Sequence, residues 1–164
     1  MDRSSGKSTK DLISVILANV DSFSNKFVEF QLFLKSLKSA PDLIVLTEVN
    51  PKHSKYQRQV SEFQIQDYCV LTSGFEEKGH RGILIYYRDS ISILEQRMSS
   101  SFEEKLCVKL IIQKKILNIL SIYRSPNSLS NNDDKLINML EEFTLLRGDH
   151  LLLGDFSNIN WEQG

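Results

Sequence analysis

The sequence has only two cysteines in 164 residues, and that scarcity removes a class of protein. Cys69 and Cys107 lie far apart in apolar or mixed segments with no metal-ligand spacing. They read as free thiols in a reducing compartment, which excludes a disulfide scaffold and a cysteine zinc site. No apolar run approaches the roughly 20 residues of a membrane-spanning helix. The opening MDRSSGKSTK is polar and lacks the apolar core of a signal peptide. The expectation is an intracellular protein, nuclear or cytoplasmic, with no membrane association and no obligate protein partner. Charge of one sign is lacking too: the net charge is -1. That excludes a binder that is strongly basic throughout, but a local basic groove remains open, because the field of the patch decides binding.

Hydrophobic residues make up 41% and charged residues 25%, the balance of an ordinary globular domain, and the length suits one. Residues 1–11 read as a flexible lead-in and residues 12–164 as the domain. The chain is organised around Pro41 to Asn50, PDLIVLTEVN. The run Leu43 to Leu46 reads as a strand buried on both faces, ending at Thr47 and Glu48. A carboxylate at the carboxyl end of such a strand lies at the rim of the sheet, where α/β proteins place their sites. His150 to Phe156, HLLLGDF, repeats the plan and ends in Asp155. Two buried strands delivering carboxylates to one rim would suit a divalent-metal site.

Leu12 to Val20 reads as a first strand with Asn19 near its carboxyl end. A helix follows, capped by Ser22 or Ser24, with Phe27, Phe30, Leu34 and Leu37 on one face and Ala40-Pro41 ending it. Strand, helix, strand is a crossover unit. Phe63 to Leu71 is a weaker strand candidate, Gly79 marks a turn, and Gly82 to Tyr87 is the next strand. Ser90 to Leu94 reads as a short strand. Leu106 to Gln113 and Ile116 to Tyr123, joined at Lys114-Lys115, form an antiparallel hairpin, which a purely parallel doubly wound sheet cannot accommodate. Asn131 to Asp134 caps a second helix with Leu136, Ile137, Leu140 and Phe143 as its buried face. Gly148 closes that helix.

Several motifs carry little. Gly6 to Thr9, GKST, lacks the preceding strand and upstream glycine of a phosphate loop. Gly148-Asp149-His150 precedes a strand and so reads as a helix stop. His53 and His80 lie in polar loops as solvated side chains, and Tyr68, Tyr86 and Tyr87 read as strand aromatics. The acid-free run Pro51 to Gln59, with Lys52, Lys55 and Arg58, is either a solvated loop or a phosphate-facing one. Four features share an arrangement: Asn19, Thr47-Glu48, Tyr123 to Asn127, and Gly154 to Ser157 each follow an apolar strand, so all four can meet on one edge.

These segments, DLIVLTEVNPK, GILIYY, IYRSPNS and LLLGDF in that order, resemble the endonuclease/exonuclease/phosphatase superfamily. The likeness is greatest to the endonuclease domain of non-LTR (LINE-type) retrotransposons and runs from Asn19 to Trp161. It implies a two-sheet α/β sandwich of the abasic-endonuclease and deoxyribonuclease type, with mixed sheets flanked by helices, that hydrolyses DNA phosphodiesters with Mg²⁺ or, as an alternative, Mn²⁺. Carried over by position, Glu48 would ligate the metal with help from Asn19, and Asp155 would orient or deprotonate the attacking water. Tyr123 and Asn127 would hydrogen-bond phosphate, with Lys52 and Arg58 as further substrate contacts.

Two departures qualify what the resemblance implies. Ser157 stands where the pattern has asparagine, with Asn158 displaced by one residue, so the serine would serve as a shorter hydrogen-bonding group. The family pattern also continues past the Asp155 strand, through further strands, to a second aspartate and a terminal Asp-His pair beyond Gly164. With those C-terminal strands missing, the expectation is an incomplete domain, inactive or nearly so by itself and of marginal stability. The rival readings are a remnant that binds nucleic acid without cleaving it, and a superfamily phosphatase acting on a small or lipid phosphoester.

Overall fold

The computed structural model describes residues 12–53 and 58–155. Within them, β1 (Val15–Asn19), α1 (Phe27–Ser36) and β2 (Leu43–Thr47) form the first crossover unit. They are followed by β3 (Tyr68–Ser73), β4 (Ile83–Arg88), β5 (Ile93–Glu95), β6 (Lys105–Ile112) and β7 (Lys115–Tyr123). Helix α2 (Ser130–Thr144) and β8 (Asp149–Asp155) complete the order. The strands make two four-stranded sheets, ordered β1-β2-β4-β3 and β5-β6-β7-β8. Both sheets are mixed: β1 runs parallel to β2 and β7 to β8, and the remaining pairs are antiparallel. This is the α/β sandwich expected from the sequence.

Strand β2 shows why the sheets stack. Its side chains alternate between two apolar layers, so every position is buried and the run has no polar face. Leu43 and Val45 pack with Ile83 and Ile85 against Leu106, Val108, Leu110 and Ile119 of the other sheet. Ile44 and Leu46 turn the opposite way, into a layer with Phe23, Phe63 and Tyr86 that α1 covers with Phe27, Phe30 and Leu34. Leu120 and Ile122 of β7 turn outward in the same manner and meet Leu136, Met139 and Phe143 of α2. The order of layers is therefore helix, sheet, sheet, helix. At about 1.5–3 kcal/mol for each large side chain removed from water, these layers are the main source of stability.

Several sequence expectations need correction. Strand β8 is not buried on both faces: Leu152 stays 38% exposed, and among the described residues the strand pairs with β7 alone. An apolar run does not by itself say how many neighbours a strand has. In α2 the buried stripe is Leu136, Met139 and Phe143, with Ile137 exposed, because the three- and four-residue steps from Leu136 pass over the next position. Neither Ser22 nor Ser24 caps α1. Lys26 is its N-cap, with no side-chain cap, and the Lys26 ammonium donates to the Val20 and Asp21 carbonyls. The helix stops at Ser36, well before Pro41.

The Phe63 to Leu71 candidate divides into a 3-10 turn at Val60–Phe63 and the start of β3. The hairpin turns one residue earlier than expected, on Gln113 and Lys114, both left-handed as a tight two-residue turn requires. Gly79 does sit in a turn with positive φ, and Cys69 and Cys107 are free. No helix of the described residues is long and apolar enough to cross a membrane. The lead-in, the GKST segment, Lys55, Ser157, Asn158 and Trp161 lie outside the described residues.

Candidate active site

Parallel pairing delivers the site. In the first sheet Asn19 is in register with Thr47, so Glu48 stands one residue past the end of the ladder. In the second, Tyr123 is in register with Asp155. The two rims meet at one amide: Asn19 Nδ2 donates to Glu48 Oε1 at 2.7 Å and to Asp155 Oδ2 at 3.2 Å. Two carboxylates from different sheets thus lie within reach of one NH2 group.

The backbone around them is tightly constrained. Glu48 has φ 54, Asp21 φ 35 and Ser22 φ 75, all left-handed. A non-glycine residue there costs about 1–2 kcal/mol. The surroundings impose it, because the ladder continues past both strands through Val20 N–H to the Thr47 carbonyl, Ser22 N–H to Glu48 and Phe23 N–H to Val49. Such strain concentrates at functional sites.

Arg81 was not among the sequence candidates. Its side chain is 8% exposed, and one terminal nitrogen lies 2.6 Å from Glu48 Oε2 and 2.5 Å from Asp21 Oδ1. Nε donates to the Asn50 carbonyl at 2.8 Å, and the Arg81 and Gly82 N–H groups donate to Glu104 Oε1 at 2.7 and 2.9 Å. A topological rule would have found both Arg81 and Glu104. In an antiparallel pair the residue before one strand lies beside the residue after its neighbour. Arg81 precedes β4 and so meets the end of β2, with Asn50 N–H donating to its carbonyl; Glu104 precedes β6, and its carbonyl accepts from Tyr123 N–H.

Tyr123 is buried between the sheets. Desolvation first, and then the negative charge of Glu48, hold its phenol above the ordinary tyrosine range, so it remains a hydrogen-bond donor at neutral pH. The next residue, Arg124, is buried and directed away from the rim. It makes a bidentate ion pair with Asp133 in the first turn of α2, at 2.6 and 3.1 Å, while its N–H donates to the Asp155 carbonyl.

The other candidates stand apart. Asn127 and Lys52 are exposed. Arg58 forms an exposed pair with Glu62 at 3.0 Å. Among the described residues no hydrogen bond or ion pair links these three to the Glu48 group. His53 is exposed, whereas His80 is half-buried with Glu77 and Glu103 beside it.

A hard cation such as Mg²⁺ takes oxygen ligands, often one or two carboxylates with several waters retained. Among the described residues no group of three or more His, Cys, Asp or Glu could hold a metal. The donors that do converge, the carboxylates of Glu48 and Asp155, are oxygens, and they fit a water-rich Mg²⁺ site better than a closed protein cage.

No protein-family model matches the sequence, and no curated protein matches it significantly. Solved structures do match. The endonuclease domain of TRAS1, a telomere-specific non-LTR retrotransposon, superposes with a TM-score of 0.57 at 13% identity over 88% of this chain and 58% of its own. AP endonuclease LMAP from Leishmania major gives a TM-score of 0.66 at 14% identity, over 87% of this chain and 54% of that one. The human nocturnin catalytic domain gives 0.52 at 12% identity, over 87% and 63%. The chain spans a little over half the length of these three structures. The fold is therefore the two-sheet α/β sandwich that these solved structures share.

Proposed function

We propose that this chain carries the metal-binding part of a Mg²⁺-dependent phosphodiesterase site that acts on DNA, of the kind that serves a retrotransposon-type endonuclease. The observation that carries this reading is the Asn19 amide shared between Glu48 and Asp155, because it gathers two carboxylates from separate sheets at one rim. The matched structures support the class, since the first two are described as an endonuclease domain and an AP endonuclease.

In this reading Glu48 holds Mg²⁺ with Asn19 beside it, and Mn²⁺ is an alternative ion. An ion held there would supply neutralisation of the charge that builds on the phosphoryl oxygens. Asp155, oriented by the Asn19 amide, accepts the proton of the attacking water. Tyr123 keeps its proton and donates to a phosphate oxygen. Ser157 is assigned a hydrogen bond in the catalytic group, and Asn127, Lys52 and Arg58 are assigned to substrate binding. The site is intracellular, nuclear or cytoplasmic.

A supercoiled-plasmid nicking assay with and without Mg²⁺, run beside Glu48→Gln, tests the assignment. Whatever nicking the chain supports is expected to require Mg²⁺ and to disappear in the variant. Equal nicking by the two proteins defeats the role of Glu48. Salt-sensitive DNA binding that is indifferent to Mg²⁺ and to Glu48 would select the binding-only alternative.

A further inference from the structure

Arg81 is a resident cation at the carboxylate proposed to hold the metal. Its guanidinium is buried, lies 2.6 Å from Glu48 Oε2 and is shared with Asp21 at 2.5 Å. It is not a surface arginine free to swing aside. Nε is fixed on the Asn50 carbonyl, the backbone N–H is fixed on Glu104, and the other terminal nitrogen is buried with no hydrogen-bond partner among the described residues. The Asn19 amide occupies the second Glu48 oxygen at 2.7 Å. Any divalent ion on Glu48 must therefore share that carboxylate with a fixed positive charge. In a partly desolvated setting, repulsion between the two cations is a strong term.

We infer that Arg81 is a positioning residue that pre-orients Glu48 and holds the affinity of the site for divalent cations low, so that the ion binds firmly only when an anion such as a substrate phosphate joins it. The inference rests on the metal-site reading of Glu48 given above. Its charge logic is simple: a guanidinium stabilises the carboxylates while no metal is bound and opposes a second cation.

The test is a Mn²⁺ titration of the full chain, reading free hexaaqua Mn²⁺ by electron paramagnetic resonance, for wild type, Arg81→Met, Arg81→Lys and Glu48→Gln. Folding of each variant is checked by circular dichroism. Arg81→Met is expected to tighten Mn²⁺ binding roughly tenfold or more, since the opposing charge is gone. Arg81→Lys, which keeps the charge, is expected to stay within about threefold of wild type. Glu48→Gln is expected to abolish the site. Unchanged or weaker binding in folded Arg81→Met overturns the inference while leaving the metal-site reading intact. Absence of any Glu48-dependent binding removes both.

Should Arg81→Met fail to fold, wild-type protein supplies a second readout. The Arg81 Nε–Hε nuclear magnetic resonance signal is expected to shift on Mg²⁺ titration and to stay still in Glu48→Gln. No shift at saturating Mg²⁺ overturns the inference.

Discussion

The two crossover units, β1-α1-β2 and β7-α2-β8, have the same layout and put it to different uses. Each pairs a central strand with an outer one in parallel, covers the pair with a helix, and ends both strands in polar residues at the shared rim. In the first unit the carboxylate, Glu48, follows the fully buried central strand; in the second, Asp155 ends the outer strand. Each rim also has a buried arginine. Arg81, which precedes β4, turns into the site and pairs with Glu48, whereas Arg124 turns away and pairs with Asp133 on α2. One arrangement makes the acid part of a rigid charged cluster. The other uses the arginine to lock helix to strand and leaves the acid on a less enclosed support.

The largest effect is expected at the joint that lets the outer strand of the second unit seat at all. Gly154 has φ 150, and a Cβ there would lie 2.0 Å from the Ile122 carbonyl oxygen of β7. Because the obstacle is backbone, Gly154→Ala must push β8 away from β7 and displace Asp155 with it. Destabilisation of about 3 kcal/mol, the upper end for overpacking, is expected in urea titration. Amide exchange would show β8 losing protection while β1 and β2 keep theirs. A variant of wild-type stability would contradict this account of the β8 seating.

Asp133→Ala comes close behind, at about 2.5 kcal/mol, because it leaves the buried Arg124 guanidinium without its bidentate carboxylate. If the two arginines differ in use as argued, this loss shows in thermal unfolding and leaves Mn²⁺ affinity unchanged. The site acids give a smaller pair of effects. Glu48→Gln weakens a charge-assisted contact to a buried arginine and is expected to cost about 2 kcal/mol. Asp155→Asn, at a partly exposed strand end, is expected to cost less than about 1 kcal/mol. Equal costs would erase the distinction between the two rims.

Much of this could be read from the chain because the signals are local. The β2 run, the Phe27, Phe30 and Leu34 stripe and the hairpin alternation each encode burial by spacing, and parallel register then brings Asn19, Glu48 and Asp155 to one rim. What escaped depends on who pairs with whom. Strand β8 reads as an apolar run like β2 yet among the described residues has a neighbour on one side only, and Ile137 differs from Met139 only in which way α2 faces. Arg81 sits in a stretch that reads as a polar turn, EEKGHR. Its role emerges only once β4 is known to run antiparallel to β2, which places a strand's beginning beside another strand's end.

Glu104 is where the two sheets are tied together at the rim, and it gives the subtlest prediction. Its carboxylate accepts from Arg81 and Gly82 N–H of one sheet while its carbonyl accepts from Tyr123 N–H of the other. Burial raises its pKa above the usual carboxylate value of 4.5, although the two N–H groups, His80 and Arg81 pull the other way. A carboxyl raised on folding contributes stability that is fully present below its unfolded value and is lost as pH climbs through the folded one. Glu104→Gln keeps an oxygen for both N–H groups and does not titrate. The melting temperature of wild type minus that of Glu104→Gln is therefore expected to fall as pH rises past the ordinary carboxylate value of 4.5. A difference that rises with pH instead would mean that the hydrogen bonds and positive neighbours outweigh desolvation, and that this joint is held by charge as the Arg81 cluster is.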